Sequence, residues 1–205
     1  MGSSVLYMSM SADGFVTGPN VRPDNGMGDG GMRLHEWVFP GLEGDDLEAA
    51  MARLTGTNKQ VFDEMMSTGA VIAGRHTFEP AGGWNGDHHD GVEVYILSRH
   101  EAPDWVRKWP NVRYVDDLNY AMREARAAAG ERNVMVHGAG VLVPMAIEAG
   151  VLDELMIHQV PVLLGDGRRL VESPGFGSSE LERVRVLQGE GVTHLHYRVR
   201  KQAAH

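Results

Sequence analysis

The sequence VMVHGAGVLVP, residues 134–144, combines a short apolar run, a turn of small residues and the start of an apolar helical pattern that continues to residue 150. A near-continuous apolar run such as 134–136 is typical of a strand buried on both faces. Pro144 is compatible with a helix only in its first turn, so the helix should begin close to residue 141. The stretch therefore predicts a strand, a tight turn and a helix, the unit from which parallel α/β sheets are built.

The same alternation extends over most of the chain. Further short apolar runs predict strands at residues 5–8, 71–73, 94–97 and 155–157. Helical patterns predict helices at 45–54, 58–66 and 117–130, the last with an aspartate at its start and Gly130 at its end. Because parallel neighbours need a crossover connection, this order favours a mainly parallel sheet flanked by helices.

The end of the chain departs from this alternation. Residues 181–187 and 192–199 both have strand character and are separated by Gly189, Glu190 and Gly191, which predicts an antiparallel hairpin. The predicted fold class is thus α/β, with a mainly parallel central sheet and a C-terminal antiparallel hairpin in a single domain, residues 1–205.

Composition restricts the classes of function. The 205 residues carry a net charge of -9, which disfavours binding to nucleic acid or to an anionic membrane. Cysteine is absent, which excludes disulfides, thiolate metal sites and thiol nucleophiles. No apolar stretch is long enough to predict a membrane span, and no targeting segment is recognisable, so we expect a cytoplasmic protein.

Polar and small residues follow three predicted strands. Residues 74–77, GRHT, and residues 97–100, LSRH, offer cations and hydroxyls that can bind a phosphate, although solvated surface turns would have the same composition. The small residues at 138–140 allow a pyrophosphate to approach backbone N–H groups and the start of the following helix. Val143 stands where the dinucleotide-binding fingerprint has its third glycine, which disfavours an ordinary Rossmann domain.

The order of these motifs resembles that of the dihydrofolate reductase-like family, in particular the bacterial group related to the reductase domain of riboflavin biosynthesis. The matching stretches are SMSADG at 9–14, GRHTFE at 74–79, VYILSR at 94–99, VHGAG at 136–140, AGVLDEL at 149–155, PVLLGDG at 161–167 and GVTHLHY at 191–197. The resemblance extends from about residue 5 to about residue 200, so it covers almost the whole chain.

The resemblance implies a dihydrofolate reductase-like fold, NADPH as the cofactor and hydride transfer to a small ring or carbonyl substrate. The residues that it assigns to NADPH are Ala12, Gly14 and Phe15 at the nicotinamide, Gly74, Arg75, His76, Thr77, Leu97, Ser98 and Arg99 at the phosphates, and Gly138, Ala139, Gly140, Val141 and Leu142 at the pyrophosphate. Alternatives are a riboflavin-pathway reductase acting on 5-amino-6-(5-phosphoribosylamino)uracil, for which Arg33 or 168–169 could bind the substrate phosphate, and a nucleotide-binding protein without turnover.

The substrate side is less well defined. Folate reductases have a carboxylic acid on the helix before the glycine-arginine turn, and Asn58 stands at that position, so folate reduction is not expected. Phe62 matches the substrate-facing aromatic one turn later, and Trp37 could stack on a flat ring, although packing is its commoner role. Asp13 is the first candidate for the proton donor, although an aspartate before a glycine is also common in turns; Glu36 and Asp63 are the other two.

Three further expectations concern metals, mobility and assembly. The pairs His88–His89 and His194–His196 lack a third ligand at a regular spacing, so no metal site is expected. The glycine-rich stretch 17–32 fits either a mobile lid or an ordinary surface loop. The resemblance and the apolar stretch 155–164 suggest a homodimer.

Overall fold

Within the residues that the computed structural model describes, 2–42 and 46–200, eight strands form one sheet in the order β4-β3-β2-β5-β1-β6-β8-β7. Their bounds are β1 Ser4–Ser11, β2 Ala70–Gly74, β3 Glu93–Leu97, β4 Val112–Val115, β5 Val134–His137, β6 Glu154–Val160, β7 Leu181–Gly189 and β8 Val192–Val199. Strands β1 to β6 pair in parallel, whereas β8 is antiparallel to both β6 and β7. The predicted parallel sheet with a terminal antiparallel hairpin is confirmed.

Short helices connect these strands. The α-helices are α1 Leu47–Met51, α2 Gly56–Met66, α3 Arg75–Phe78, α4 Leu118–Ala129 and α5 Leu142–Glu148, and 3-10 turns cover Gly31–His35, Gly82–Gly86 and Asp104–Val106. In α4 the Asp117 carboxylate caps the first turn by accepting the Tyr120 N–H at 2.6 Å, and Gly130 ends the helix with a φ of 64°. The predicted start and end of this helix are both confirmed.

The sheet separates two apolar layers. On one face, α4 and α5 bury the even-numbered side chains of the central strands, among them Leu6, Ile72 and Val136. On the other face, Val5, Tyr7, Met135 and their neighbours pack against α2, α3 and the adjoining loops. Because strand side chains alternate between faces, every central strand is apolar on both sides, which explains their near-continuous apolar sequences.

Three elements differ from the sequence prediction. Strand β4 was not predicted, because Arg113 interrupts its apolar run at the exposed edge of the sheet. Helix α2 begins at Gly56 rather than at residue 58. The predicted helix 45–54 is confined to α1, and residue 45 lies outside the described residues, as do parts of the predicted domain at 1, 43–44 and 201–205.

The glycine-rich loop 17–32 is folded back on itself. The two carboxylate oxygens of Asp29 accept side-chain amides from Asn20 and Asn25 at 2.7 and 2.8 Å, and the Asp29 N–H donates to the Pro19 carbonyl at 2.8 Å. These bonds give the loop a defined shape despite its glycines.

Among the described residues, no helix combines the length and apolar character that a membrane crossing requires.

Candidate functional site

A cleft of about 770 Å³ lies at the carboxyl edge of the sheet, where ligands bind in open α/β sheets. The strands that form the cleft end at the same level of the sheet. Gly74 at the end of β2 pairs with Leu97 at the end of β3, and Ala73 of β2 pairs with His137 at the end of β5. The residues that line this carboxyl-edge cleft are Gly74, Arg75, His76, Thr77, Leu97, Ser98, Arg99, His100, Asp116, Ala139, Gly140, Val141, Leu142, Met145, Arg168, Glu172 and Ser173. The ends of three strands and the distant segment 168–173 thus meet in one site.

The turn between β5 and α5 depends on small residues. A Cβ atom at Gly138 would lie 2.8 Å from the end of the Leu142 side chain and 3.5 Å from the Gly74 backbone nitrogen, so a larger residue there would have to displace the Leu142 side chain. Gly140 has a φ of 67°, which also favours glycine. Its N–H donates to the carbonyls of Arg169 and Leu170, so this amide holds segment 168–173 against the turn.

Basic side chains give the cleft a positive character in a negatively charged protein. Arg75 forms an ion pair with Glu79 at 3.4 Å, and Tyr114 donates to the same carboxylate at 3.1 Å, which fixes the arginine at the rim. Arg168, from a segment far along the chain, donates to the His76 carbonyl at 3.4 Å. Partial burial, Arg75 and Arg168 together lower the pKa of His76.

Two further cations and two carboxylates complete the cleft. Arg99 and His100 are exposed and follow β3, whereas Asp116 and Glu172 are the acidic residues of the lining. Sequence reasoning did not assign Asp116, Met145, Glu172 or Ser173. It included His100 only as part of the stretch 97–100, and it considered Arg168 only for a substrate phosphate. Segment 168–173 follows no strand end in the sequence, so no local pattern indicated that it would lie here.

The predicted nicotinamide-side residues lie at the end of β1, outside the cleft lining. Ala12 is exposed, Gly14 has a φ of 90°, and Phe15 is buried beneath the Arg169 guanidinium, 4.4 Å from the ring centroid. The Arg169 side chain also donates to the Asp13 carbonyl at 3.2 Å. This turn therefore joins the end of β1 to the segment that closes the cleft.

Asp13 is held as a hydrogen-bond acceptor. Its carboxylate accepts the Ser11 hydroxyl at 2.6 Å and the N–H groups of Leu164 and Gly165 at 3.2 and 2.8 Å. The Ser11 hydrogen bond, with those backbone bonds, lowers its pKa to about 2. A carboxyl group that stays ionised at neutral pH is poorly suited to donate a proton, so the arrangement favours a structural role.

The other two candidate proton donors lie on the surface. Glu36 is exposed, and Asp63 is paired on the outside of α2 with Lys59 at 2.7 Å. Neither residue lines the carboxyl-edge cleft.

The predicted substrate residues meet on the second face of the sheet, around buried histidines. Trp37 donates its indole N–H to the Ser9 hydroxyl at 2.9 Å and packs on the ring of His158, with centroids 4.5 Å apart. Asn58 is buried and accepts from His194 at 3.2 Å. Phe62 is partly buried and packs against the apolar clusters on this face.

We call His35, His137, His158 and His194 the histidine cluster. Burial lowers the pKa of His35 and of His194 to about 4, with Arg185 adding to the effect at His194. Burial and the neighbouring His35 lower that of His137 to about 4 as well, and burial and the other three histidines hold the pKa of His158 well below its ordinary value. All four rings are therefore neutral near pH 7, and they lie next to the cleft because His137 directly precedes Gly138.

The other two histidine pairs have further partners, and the ring centroid of His88 lies 5.5 Å from that of His137 in the histidine cluster. His88 and His89 contact each other at 2.8 Å, and His196 contacts Glu154 at 2.8 Å, apart from His194. In the part of the chain that the structure describes, no group of three or more histidine and carboxylate side chains is arranged to hold a metal ion.

The topology, the cleft at the carboxyl edge and the terminal hairpin define a dihydrofolate reductase-like α/β protein. The chain belongs to the RibD C-terminal domain family, which it matches over residues 4–195. This is a family of reductases, which supports an oxidoreductase that uses a nicotinamide dinucleotide and a small-molecule substrate. No curated protein has a sequence that matches this chain.

Solved structures share the fold at low sequence identity. A protein of Shewanella sp. PV-4 assigned to riboflavin biosynthesis superimposes with a TM-score of 0.66 at 18% identity, covering 97% of this chain and 99% of the other. RibD of Acinetobacter baumannii gives a TM-score of 0.61 at 14% identity, and the match covers 98% of this chain but 58% of RibD. A pyrimidine reductase-like protein of Corynebacterium diphtheriae gives 0.59 at 13% identity, covering 98% and 93%.

Proposed function

We propose that this protein is an NADPH-dependent reductase whose cofactor binds in the carboxyl-edge cleft. The observation that carries the proposal is the meeting of three strand ends, each followed by small or basic residues, around one cleft of about 770 Å³. A nicotinamide dinucleotide supplies a hydride when bound, and the protein supplies position and electrostatics.

The lining suits the phosphates of such a cofactor. Arg75, His76 and Thr77 at the end of β2 and Arg99 after β3 can donate hydrogen bonds to phosphate oxygens. The Ser98 hydroxyl donates to the His100 carbonyl at 3.0 Å, so it would have to exchange this bond for one to a phosphate. Gly138 lies just behind the cleft, and the residues that follow it, Ala139 to Leu142, line the part of the cleft where a pyrophosphate would bind. Gly140 would contribute through its shape, since its own N–H is already bonded within the protein.

Preference for NADPH over NADH follows from the charges. The lining contains Arg75, Arg99 and Arg168 together with two histidines, against the carboxylates of Asp116 and Glu172. A 2'-phosphate would gain from this excess of cations, whereas a free 2'-hydroxyl would not.

The hydride acceptor would lie on the second face, over the histidine cluster. His137 is the member of this cluster that directly precedes the turn at Gly138, so a ring placed at the end of β5 would have the cofactor on one side and the histidines on the other. The membership in the RibD family makes 5-amino-6-(5-phosphoribosylamino)uracil the first substrate to test, and the Asn58 amide argues against dihydrofolate.

We also propose that two copies associate, through the hairpin rather than through the stretch 155–164 on which the sequence analysis relied, because β6 lies inside the sheet with Leu155 and Ile157 buried. Strand β7 is the edge of the sheet, and its side chains Leu181, Val184 and Val186 are 39%, 42% and 43% exposed. Adjacent apolar side chains on a sheet edge are typical of an interface between copies.

The test is NADPH oxidation, followed by absorbance, with the purified protein and a panel containing this uracil derivative, simple cyclic ketones and dihydrofolate. Turnover of the uracil derivative or of a cyclic ketone would support the proposed reductase activity. Tight NADPH binding without turnover of any compound would favour a nucleotide-binding protein, and failure to bind NADPH would refute the proposal.

A further inference from the structure

A chain of hydrogen bonds joins the β7–β8 hairpin to the centre of the histidine cluster. The Asn58 amide group donates to the Glu190 carbonyl at 3.0 Å and to the Trp37 carbonyl at 3.4 Å. The Asn58 side-chain oxygen contacts His194 Nε2 at 3.2 Å, and His194 Nδ1 contacts His158 Nδ1 at 2.9 Å. Each hydrogen bond in this chain determines which ring nitrogen of the next histidine carries the hydrogen.

The orientation of the Asn58 amide is determined by its neighbours. Both of the carbonyl groups beside its nitrogen are acceptors, so an exchange of nitrogen and oxygen would place an acceptor against two acceptors. The side-chain oxygen must therefore face His194, and His194 Nε2 must carry the hydrogen in that contact.

The protons of both histidines follow. A neutral His194 with a hydrogen on Nε2 has a bare Nδ1, which can only accept, so the hydrogen in the contact with His158 belongs to His158 Nδ1. His158 then has a bare Nε2. The two nitrogens of an imidazole point in nearly opposite directions, so this atom faces away from His194.

His158 Nε2 has no partner among the described residues, and the His158 side chain is only 1% exposed. Two other members of the cluster, His35 and His137, also have a buried Nδ1 without a partner among those residues. Buried polar atoms in folded proteins are nearly always satisfied by the protein, by water or by a ligand. Three such atoms beside the end of β5 therefore leave hydrogen-bonding capacity that water or a ligand has to satisfy.

We propose that His158 Nε2 accepts a hydrogen bond from an N–H or O–H group of the bound substrate, and that Asn58 and His194 are positioning residues that keep this nitrogen bare. This inference rests on the proposed reductase function, because the ligand is taken to be the substrate of that reaction. The substrate class that fits is a neutral, flat heterocycle with a donor group, because the receiving atom is an uncharged acceptor and the indole of Trp37 packs on the same histidine. A substrate without a donor would leave the acceptor unsatisfied.

The tautomer can be measured without cofactor or substrate. Nitrogen-15 NMR of the full-length protein labelled at histidine distinguishes a protonated from a bare ring nitrogen, and H158F assigns the signals. We expect His158 to be protonated at Nδ1 and bare at Nε2. A His158 protonated at Nε2 would overturn the inference.

N58D tests the positioning role. A carboxylate cannot donate to the two carbonyls, and its charge would favour a His194 protonated on both nitrogens, which would then donate to His158 Nδ1 and transfer the His158 hydrogen to Nε2. In N58D we expect the nitrogen-15 signals of His158 to show a bare Nδ1 and a protonated Nε2. The matched control N119D adds the same charge on the exposed side of α4 and should leave these signals unchanged. An unchanged His158 in folded N58D would refute the role of Asn58, and should N58D not fold, the wild-type spectrum decides.

A pair of small rings tests ligand recognition. With NADPH present, 2-pyridone, which has a ring N–H, should shift the His158 Nε2 signal and bind roughly 10- to 100-fold more tightly than 1-methyl-2-pyridone, as expected for one buried acceptor left unsatisfied. H158F, which keeps a ring against Trp37, should bind both probes equally. Equal binding of the two probes to the wild type would overturn the acceptor role. Failure of NADPH binding would instead refute the proposed function and leave the tautomer result standing.

Discussion

The Asp13 carboxylate accepts the Gly165 N–H at 2.8 Å and so ties the end of the first strand to a loop 152 residues later. The same carboxylate accepts the Ser11 hydroxyl, and the next residues of that loop continue to Arg168 and Arg169. The turn that should face the reacting ring is therefore held in place by the segment that closes the cleft.

D13N should lower the Tm by several degrees at neutral pH, because an amide cannot accept all three hydrogen bonds as a carboxylate does. The folded-state pKa of Asp13 is depressed, so its stabilising contribution is present above the unfolded value near 4 and is lost as the pH falls toward about 2. The advantage of the wild type should shrink over that range in thermal unfolding. The control D104N changes an exposed ion pair and should have little effect. A Tm equal to wild type combined with lost turnover would instead indicate a catalytic Asp13.

R99Q should weaken NADPH binding by roughly 10- to 100-fold and leave NADH binding nearly unchanged, since a charge-assisted hydrogen bond contributes about 1.5–3 kcal/mol. Dissociation constants for both cofactors can be obtained from nucleotide fluorescence. R123Q, which removes an exposed arginine from α4, is the matched control. Equal loss of affinity for the two cofactors would show that Arg99 does not contact the 2'-phosphate.

G189A should destabilise the fold by about 1–3 kcal/mol, as is usual when an extra group enters a packed site. A Cβ atom at residue 189 would overlap the Asn58 side-chain oxygen and lie 2.9 Å from His194 Nε2. Urea unfolding should show a lower midpoint with an unchanged slope. G177A adds the same methyl group where no atom lies within 4 Å, and it should unfold like the wild type.

Acid should destabilise the protein through the histidine cluster. His35 and His137 have folded-state pKa values of about 4, below the ordinary 6.5, so between these values the unfolded chain binds more protons and stability falls as the pH falls. Each histidine adds a slope of up to about 1.4 kcal/mol per pH unit. The urea concentration at the unfolding midpoint should fall as the pH is lowered from 7 to 4.5. H137Q should reduce this pH dependence more than the control H100Q, which changes an exposed histidine after β3. Midpoints independent of pH would contradict the buried, neutral state.

The proposed dimer predicts a mass near twice 22.5 kDa in light scattering at micromolar concentration. V186K, on the exposed edge strand, should shift the mass to that of one chain, whereas V171K, at a site of similar exposure away from the hairpin, should not. A wild-type mass of one chain would refute the association.

Local sequence patterns were sufficient for most of the fold. Apolar runs located the buried strands, and Asp117 and Gly130 marked both ends of α4, because capping and strand burial depend on neighbouring residues. Strand β4 was missed because it lies at the exposed edge of the sheet. Arg113 in its centre is tolerated there and interrupts the apolar run that would have revealed the strand.

The candidate site was predictable only where it follows strand ends. The residues at 74–77, 97–99 and 139–142 do line one cleft, but Arg168 and Glu172 reach it through long-range contacts that no local pattern encodes. The histidine cluster was hidden for a related reason, because its members come from four separate segments. The order β5, β1, β6 and β8 in the sheet brings His137, His158 and His194 together, and the 3-10 turn Gly31–His35 adds His35 by packing on β1. The position of Asn58 on the helix before the glycine-arginine turn could be recognised in the sequence, but its hydrogen-bond partners could not be predicted, because they lie far away along the chain.

The sheet order also affects how the chain folds during synthesis. Strand β1 is made first, but both of its neighbours, β5 and β6, come from the second half of the chain. At ribosomal rates of about 5–20 residues per second, roughly 6 to 25 s separate the completion of β1 from that of the start of β5. For that time the apolar first strand has neither of its native partners, so mispairing at this strand is a hazard that persists until β5 and β6 have been made.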